Sequence, residues 1–583
     1  MFKCLFALLG VLLPHLVSAQ CLLPSGIGSF EGSTPLADWF TAHQGNGNFQ
    51  LETSDVSVGA QALRIDVTTP STWEVRMFNH ASCYFPLVQG ESYQTTLHIK
   101  GNAGDPVVLT LMDNLSDDAS QTIFLTSNGW ATYNVTLNST VDSDSGRFKI
   151  QFQNVGTYFL DEVSLVRETE NWYVSPSGAN NLAGANGSSP GAPLQTIQYA
   201  LDSAWTPGDT IFVMNGTYRN NNFGTGNVNN GPVVRLNPAK TGAHHGWLII
   251  RNYPGHNPKI EFDGSGGFIG SQQTYLEISG FEIEGPNQAI TFPDAMANRL
   301  IQDNYYGGRG VAVWSGHHIY LHGNRVHDCP NSGLRVNNAD YCTVHNNVVY
   351  NNTWWSSNAE SAIVYATAMD IDTLGIIKMR ITDNLVYDNY NNIPYYNPTY
   401  TGATSDYGTA AQTYIIDGSG CYVTRNRDTY LYGWFYFANN VSYGNGINGL
   451  VVHKSDRAVV TNNTVFWNGA VPLASGRQAS SGITVHGSDS VRMYNNISWP
   501  RFATDFGYKV FDWPNTVDLI ASNNILANGL SDLTAGQVTM TNPMFVDTAN
   551  KNFRLQPGSP AIDGGQSHGD LAPFDFDGNP RDL

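Results

Sequence analysis

What this 583-residue sequence has least of is charge: Asp, Glu, Lys and Arg together make up 13 %, against ~25 % in an average soluble protein. Disorder needs high charge and low hydrophobicity, and 41 % hydrophobic with 12 % aromatic residues exclude it. Lysine occurs at only nine positions, so a lysine in a polar context stands out. Long apolar runs are also missing: after Leu5–Val17 none approaches the ~20 residues of a membrane span, and no membrane insertion is expected. Beyond residue 19 there are five cysteines, Cys21, Cys83, Cys329, Cys342 and Cys421. An odd, widely spaced set excludes a disulfide-scaffold fold and a C-x₂₋₄-C zinc site. It leaves Cys21–Cys83 and Cys329–Cys342 bridges, or buried free thiols, as the alternatives. Phosphate-binding loops, Ser-His-Asp elbows and zinc-protease motifs are absent.

The formal charge of −19 and pI near 5.1 exclude non-specific affinity for nucleic acid or anionic membrane, because the net field repels polyanions. An anionic substrate must therefore meet a local basic site. What is abundant is turn chemistry: 58 glycines and frequent asparagine suit many short strands and exclude an all-α fold. The length equals three or four domains, or one large solenoid with a companion.

Met1-Phe2-Lys3, the apolar run and Val17-Ser18-Ala19 before Gln20 form a signal-peptide pattern over 1–19. Gln20 stands where a lipobox places Gly or Ala before its cysteine, so a secreted product free of lipid is expected, extracellular or periplasmic. From 20 to 168, period-two segments such as Ala62–Val67 and Tyr93–Ile99 alternate with turn clusters, which predicts an antiparallel β-sandwich. Gly26–Trp39, Gln61–Val67, Gly129–Tyr133 and Phe159–Leu165 together resemble a jelly-roll carbohydrate-binding module. That resemblance implies a sugar-stacking face, for which Trp39, Trp73, Phe78 and Tyr84 are the candidates, with core packing as the alternative.

From 169 to 583 a motif recurs: Asn324-Arg325-Val326-His327, Asn347-Val348-Val349-Tyr350, Asn384-Leu385-Val386-Tyr387, Asn440-Val441-Ser442-Tyr443, Asn463-Thr464-Val465-Phe466, Asn496-Ile497-Ser498-Trp499 and Asn524-Ile525-Leu526. Two of its intervals are 23 residues, the length of one solenoid coil, and the longer ones read as coils with insertions. The asparagines are expected in tight αL bends, each amide bonded to the equivalent asparagine of the next coil. The opening at Trp172–Gly178 and Pro207–Ile211 resembles the amino-terminal cap of secreted right-handed parallel β-helix proteins, many of them polysaccharide lyases. The tail, Asn542 to Arg581, resembles their terminal coil and reads as a cap. Insertions between 351 and 439 are rich in aromatic residues. Trp354, Trp355, Tyr395, Tyr396 and Trp434, with Arg425 and Arg427, are the expected substrate-binding residues of a sugar cleft, the alternative for the aromatics being loop packing.

The charged cluster is Gly449-Leu450-Val451-Val452-His453-Lys454-Ser455-Asp456-Arg457. It resembles the catalytic coil of β-helical lyases of the alginate lyase and chondroitinase B type, where a Lys-Ser pair on a strand precedes an Asn-Asn-Thr turn. The resemblance implies Lys454 as base and an arginine from a neighbouring coil beside it. Arg477, 23 residues on, is the candidate, although the family's Leu-Arg-His-Gly context and its acidic calcium ligands are missing. β-Elimination at a uronate needs its carboxylate neutralised and a base near the C5 proton, so Lys454, Arg477, Arg457 and His453 form the expected catalytic set. Asp417 and Asp456 are the candidate ligands for calcium, which takes 6–8 oxygens. The rival is a hydrolase with Asp370, Asp372 and Asp417 as carboxylates flanking a glycosidic bond, and the third reading is a non-catalytic glycan-binding solenoid. The expected protein is a secreted, monomeric, all-β polysaccharide lyase with no nucleic-acid partner.

Overall fold

The computed structural model describes residues 20–581 apart from 22–28, 31–35, 37–38, 44–45, 70–74, 80–83, 88, 142, 168–169, 184–185, 243–245, 300–303, 359, 396–414, 428, 472–479 and 512–517. Residues 1–19, Trp73, Cys83, Tyr396 and Arg477 lie outside the described residues, as does the side chain of Cys21. The chain divides into two compact units, Met1–Glu170 and Asn171–Leu583.

The first unit is a sandwich of two antiparallel sheets of six strands each. Alternation builds it: along Ser92–Lys100 every second residue, Tyr93, Thr95, Leu97 and Ile99, points inward. These meet Leu109, Phe148 and Ile150 of the facing sheet in one core. Trp39 lies in that core, and Phe78 is buried beneath the guanidinium of Arg147, 5.0 Å from its ring. Neither offers a face to sugar. Tyr84 is half-buried under the same guanidinium and donates its hydroxyl to Asn114 at 2.9 Å.

The second unit is a right-handed parallel β-helix. Its strands stack in an 18-stranded and an 11-stranded sheet. Long strands such as Arg309–His322 and Leu334–His345 belong to two faces at once, bending where φ is positive at Ser315 and His318, or Asn338 and Tyr341. The coil therefore has three faces. In each recurrent motif the third residue points inward: Val326, Val349, Val386 and Val465 are fully buried in register, each contributing ~1.5–3 kcal/mol. The flanking residues point outward, and Tyr350, Tyr387 and Tyr443 stack with ring centroids 4.9 and 5.0 Å apart.

The asparagine ladder is present. Asn324, Asn347, Asn384, Asn440, Asn463 and Asn496 each donate from Nδ2 to Oδ1 of the next, the last to Asn524, at 2.9–3.1 Å. A second ladder, which the sequence reading passed over, runs from Asn352 through Asn389 and Asn445 to Asn468. The αL geometry falls one residue earlier than expected, at Asn346, Asp383, Asn439, Asn462, Asn495 and Asn523. The bend is made by the first residue of the pair, which lets the second turn its amide into the stack.

The tail does more than close the last coil. Residues 564–581 run back along one flank. Asn523 donates to the Gly564 carbonyl and Asn495 to that of Gln566. Tyr436 donates to Asp570, Asn439 to Phe574, and Arg581 reaches Asn439. Cys329, Cys342 and Cys421 are buried free thiols. Among the described residues no helix is long and apolar enough to cross a membrane.

Candidate active site

One outward face of the β-helix gathers the polar chemistry. Strands Ile363–Ala366, Cys421–Thr424, Leu450–His453 and Ser480–His486 pair in parallel, so Val364, Tyr422, Val451 and Thr484 form one row and Ala366, Thr424, His453 and His486 the next. Intervening residues, Tyr365, Val423, Val452 and Val485, fill the core. His453 shares a 2.8 Å hydrogen bond with the Thr424 hydroxyl and lies 4.8 Å from the His486 ring. Burial, helped by His486, Lys454 and Arg425, pushes its pKa down to about 3, so the imidazole is neutral.

The strand ends at His453, and Lys454 follows it in an αL turn with φ 45°. The turn takes Lys454 out of the strand's alternation, and the His453 and Lys454 side chains are both half-buried. Arg425 occupies the same position one coil earlier, φ 57°. Its N–H donates to the His453 carbonyl as that of Lys454 donates to His486. Neither the Arg425 guanidinium nor the Lys454 ammonium has a hydrogen-bond or ion-pair partner among the described residues, although Asp456 is only two positions away from Lys454.

The other predicted cations are used elsewhere. Arg457 donates to the Tyr430 carbonyl and holds that loop. Arg427 pairs with Asp456 at 3.1 Å, and Asp456 also accepts the Asp489 N–H. Asp417 instead accepts the Ser361 hydroxyl and the N–H groups of Gly418 and Ser419 on Oδ1. The expected pair of calcium ligands thus serves separate partners. Among the described residues the groups close enough to share one metal ion are Glu282, Glu284 and His327 on the 11-stranded sheet, where Lys259 already pairs with Glu284.

Sequence reading missed a buried hub. Glu360 receives Arg309, Arg335 and the Ser332 hydroxyl. Burial opposes its charge, but Arg335 and Arg309 outweigh burial and hold the carboxyl below its ordinary value. Asp417 shows the opposite balance: burial, with Glu360 adding to it, raises its pKa to about 7. Asp417 lines a cleft together with Arg335, Glu360, Tyr422, Thr424 and Arg425. Glu360 is the only glutamate after position 284, a scarcity that marks it in the sequence as clearly as Lys454.

The rival carboxylates are structural. Asp370 and Asp372 lie in the loop after Ile363–Ala366, not on a strand. Asp370 accepts the N–H groups of Leu431, Tyr432 and Gly433. Asp372 binds the fully buried Lys378 ammonium at 2.6 Å and the Tyr341 hydroxyl, which hold its carboxyl at about 2. Of the expected sugar-binding aromatics, Trp355 is buried with its indole N–H on the Asn287 carbonyl, and Trp354 stacks on Tyr390. Both pack insertions onto coils. Tyr395 is half-buried. Trp434 lies on a different face, under Arg492 and against the returning tail.

A family model described as "right handed beta helix region" matches residues 255–427. No curated protein matches this chain. Among solved structures the chain is similar to the pectate lyase Pel9A, with 16 % identity and TM-score 0.38 over 70 % of this chain and 95 % of that one. A rhamnogalacturonan lyase follows, with 13 % identity and TM-score 0.36 over 64 % and 85 %. An arabinose-bound α-L-arabinofuranosidase matches at 16 % identity and TM-score 0.21 over 30 % of this chain, which spans about a third (32 %) of that protein's length.

Proposed function

We propose that this protein is an exported polysaccharide-degrading enzyme that cleaves a uronate-containing chain by β-elimination on the outward face carrying Tyr422 and His453. The observation that carries this reading is the adjacent pair Arg425 and Lys454, two cations without a carboxylate partner among the described residues, in a chain whose net charge is −19. In this proposal Arg425 holds and neutralises the substrate carboxylate, the part the sequence assigned to Arg477 and Arg457. With its negative charge compensated, the carboxylate can take up the electrons released when the C5 proton leaves. Lys454, in its neutral amine form, takes that proton and becomes an ammonium. A guanidinium stays protonated at any working pH, and His453, held neutral at a pKa of about 3, is too weak a base. The C4–O bond then breaks, the departing glycosidic oxygen takes up a proton from solvent, and the C5–H electrons form the C4–C5 double bond of an unsaturated uronate.

Calcium has no part in the proposed step. Asp417 gives one oxygen to three donors and Asp456 is paired with Arg427, a donor set far from the oxygen-rich shell that calcium takes. A second reading, hydrolysis, draws on the buried pair Glu360 and Asp417, whose environments push their protonation apart as in acid–base pairs. It replaces Asp370 and Asp372 as hydrolytic carboxylates. The sandwich is proposed as a tether to the polymer, raising the local concentration of cleavable bonds.

Products decide between the readings. Incubation with alginate, pectate and glycosaminoglycans is expected to yield new ultraviolet absorption from a conjugated double bond; reducing ends alone would favour hydrolysis. Lys454→Ala is expected to lower turnover by ~10²–10⁴ and Lys454→Arg not to restore it. A fully active Lys454→Ala enzyme would remove the elimination mechanism.

A further inference from the structure

A second cleft opens on the same outward face nearer the start of the solenoid, lined by Gln198, Asp202, Arg235, Asn237, Gly270 and Ser271. The row of Arg235 continues in register through Ile269, Ala312, Arg335 and Val364 to Tyr422. Five steps at ~4.8 Å per strand put Arg235 about 24 Å from Tyr422. Ser271, Trp314, Asn337, Ala366 and Thr424 form the row beside it.

Arg235 is exposed, and its guanidinium has no hydrogen bond or ion pair among the described residues. Its backbone, in contrast, is fixed: Gln198 accepts the Arg235 N–H at 2.7 Å and donates to its carbonyl at 3.2 Å. The same amide donates to Asp202 at 2.8 Å, giving that carboxylate a partner other than Arg235. Between the two clefts stands half-buried Trp314, with Arg309 5.6 Å above its ring. Next to it in the row, Asn337 keeps a buried Oδ1 that no donor among the described residues satisfies. A cation, an aromatic ring, an unfilled acceptor and then Arg425 thus follow one another along the solenoid axis. A pyranose residue in an extended chain has nearly the length of one strand spacing.

We infer that Arg235 is a remote subsite for a carboxylate of the same polyuronate chain that Arg425 holds, the polymer running along the axis over Trp314 with about one sugar per coil. The inference rests on the reading that the substrate is an acidic polysaccharide, and it concerns binding rather than the chemical step. Chains of about six residues or more span both cations, and a trisaccharide cannot. Arg235 lies at the surface, so its replacement leaves the core intact.

The test is the affinity of the full-length Lys454→Ala protein, with and without the further substitution Arg235→Ala, for galacturonate and alginate chains of graded length at low salt. Arg235→Ala is expected to weaken binding of chains longer than about six residues by about fivefold and to leave the trisaccharide unchanged. Arg425→Ala should weaken both. Equal affinity for long chains with and without Arg235→Ala would overturn the inference, as would an equal loss on the trisaccharide or no binding of any uronate chain. Elimination can fail independently, by absence of the ultraviolet product in the enzyme with Lys454, without touching this length dependence.

Discussion

Asp417 and Glu360 are neighbours, joined by the Gly418 N–H on the Glu360 carbonyl, yet their acidities are shifted in opposite directions. The difference lies in their company: two guanidiniums for one, a hydroxyl and two amides for the other. Asp417, raised from 3.8 to about 7 in the folded protein, favours folding fully below pH 3.8 and loses that contribution as pH rises through 7. His453 acts in the opposite sense: depressed from 6.5 to about 3, it contributes above pH 6.5 and the contribution fades as pH falls towards 3. Thermal midpoints of Asp417→Asn and the parent, taken from pH 4 to pH 7, should therefore diverge in favour of the variant as pH rises. A constant difference across that window would show that Asp417 does not titrate there. Scarcity of lysine made Lys454 legible in the sequence, and the same criterion applied to glutamate singles out Glu360. That Arg457 is engaged while Arg425 is left without a partner among the described residues was not legible. The partner that occupies Arg457 is a backbone carbonyl 27 residues away, brought there by the fold alone.

At the scale of the element, the recurrent motif carried most of the β-helix. A buried valine between two outward residues states the strand, and the 23-residue interval states the coil. The Asn-Asn pairs at 346–347, 439–440, 462–463, 495–496 and 523–524 held more than was read from them. The first member takes αL geometry and the second enters the ladder, a division of labour between adjacent identical residues that composition cannot assign. Each rung is a set of hydrogen bonds between buried groups. Asn384 accepts from both the N–H and the amide of Asn347 and donates to the Val344 and Thr382 carbonyls and to Asn440. Asn384→Leu orphans these groups and should cost about 3 kcal/mol in denaturant unfolding. Asn384→Asp, which sets a buried carboxylate oxygen against the Val344 and Thr382 carbonyls and Asn440 Oδ1, should cost more. Equal losses would assign the ladder's worth to shape rather than hydrogen bonding. The insertions resisted sequence reading because aromatic density marks both loop packing and sugar binding, and Trp354 and Trp355 turned out to pack.

At the scale of the whole molecule, the change of texture near residue 168 anticipates two units that meet in sequence at Glu170 and Asn171. Limited proteolysis should cut there first and release two stable pieces, each with its own cooperative melting transition. A single transition, with no cut near 168, would mean that the two cores fold as one.

The tail changes what it means for such a molecule to come apart. Coils of a solenoid touch only their neighbours, so an open end can peel away one layer at a time. Here a single strip of chain is fastened to Asn523, Asn495, Tyr436 and Asn439, layers well separated along the stack. The outermost layer cannot leave while the strip is attached further in. Peeling becomes an all-or-none tear, and the persistence of this end is set by the height of one barrier more than by the depth of any single contact.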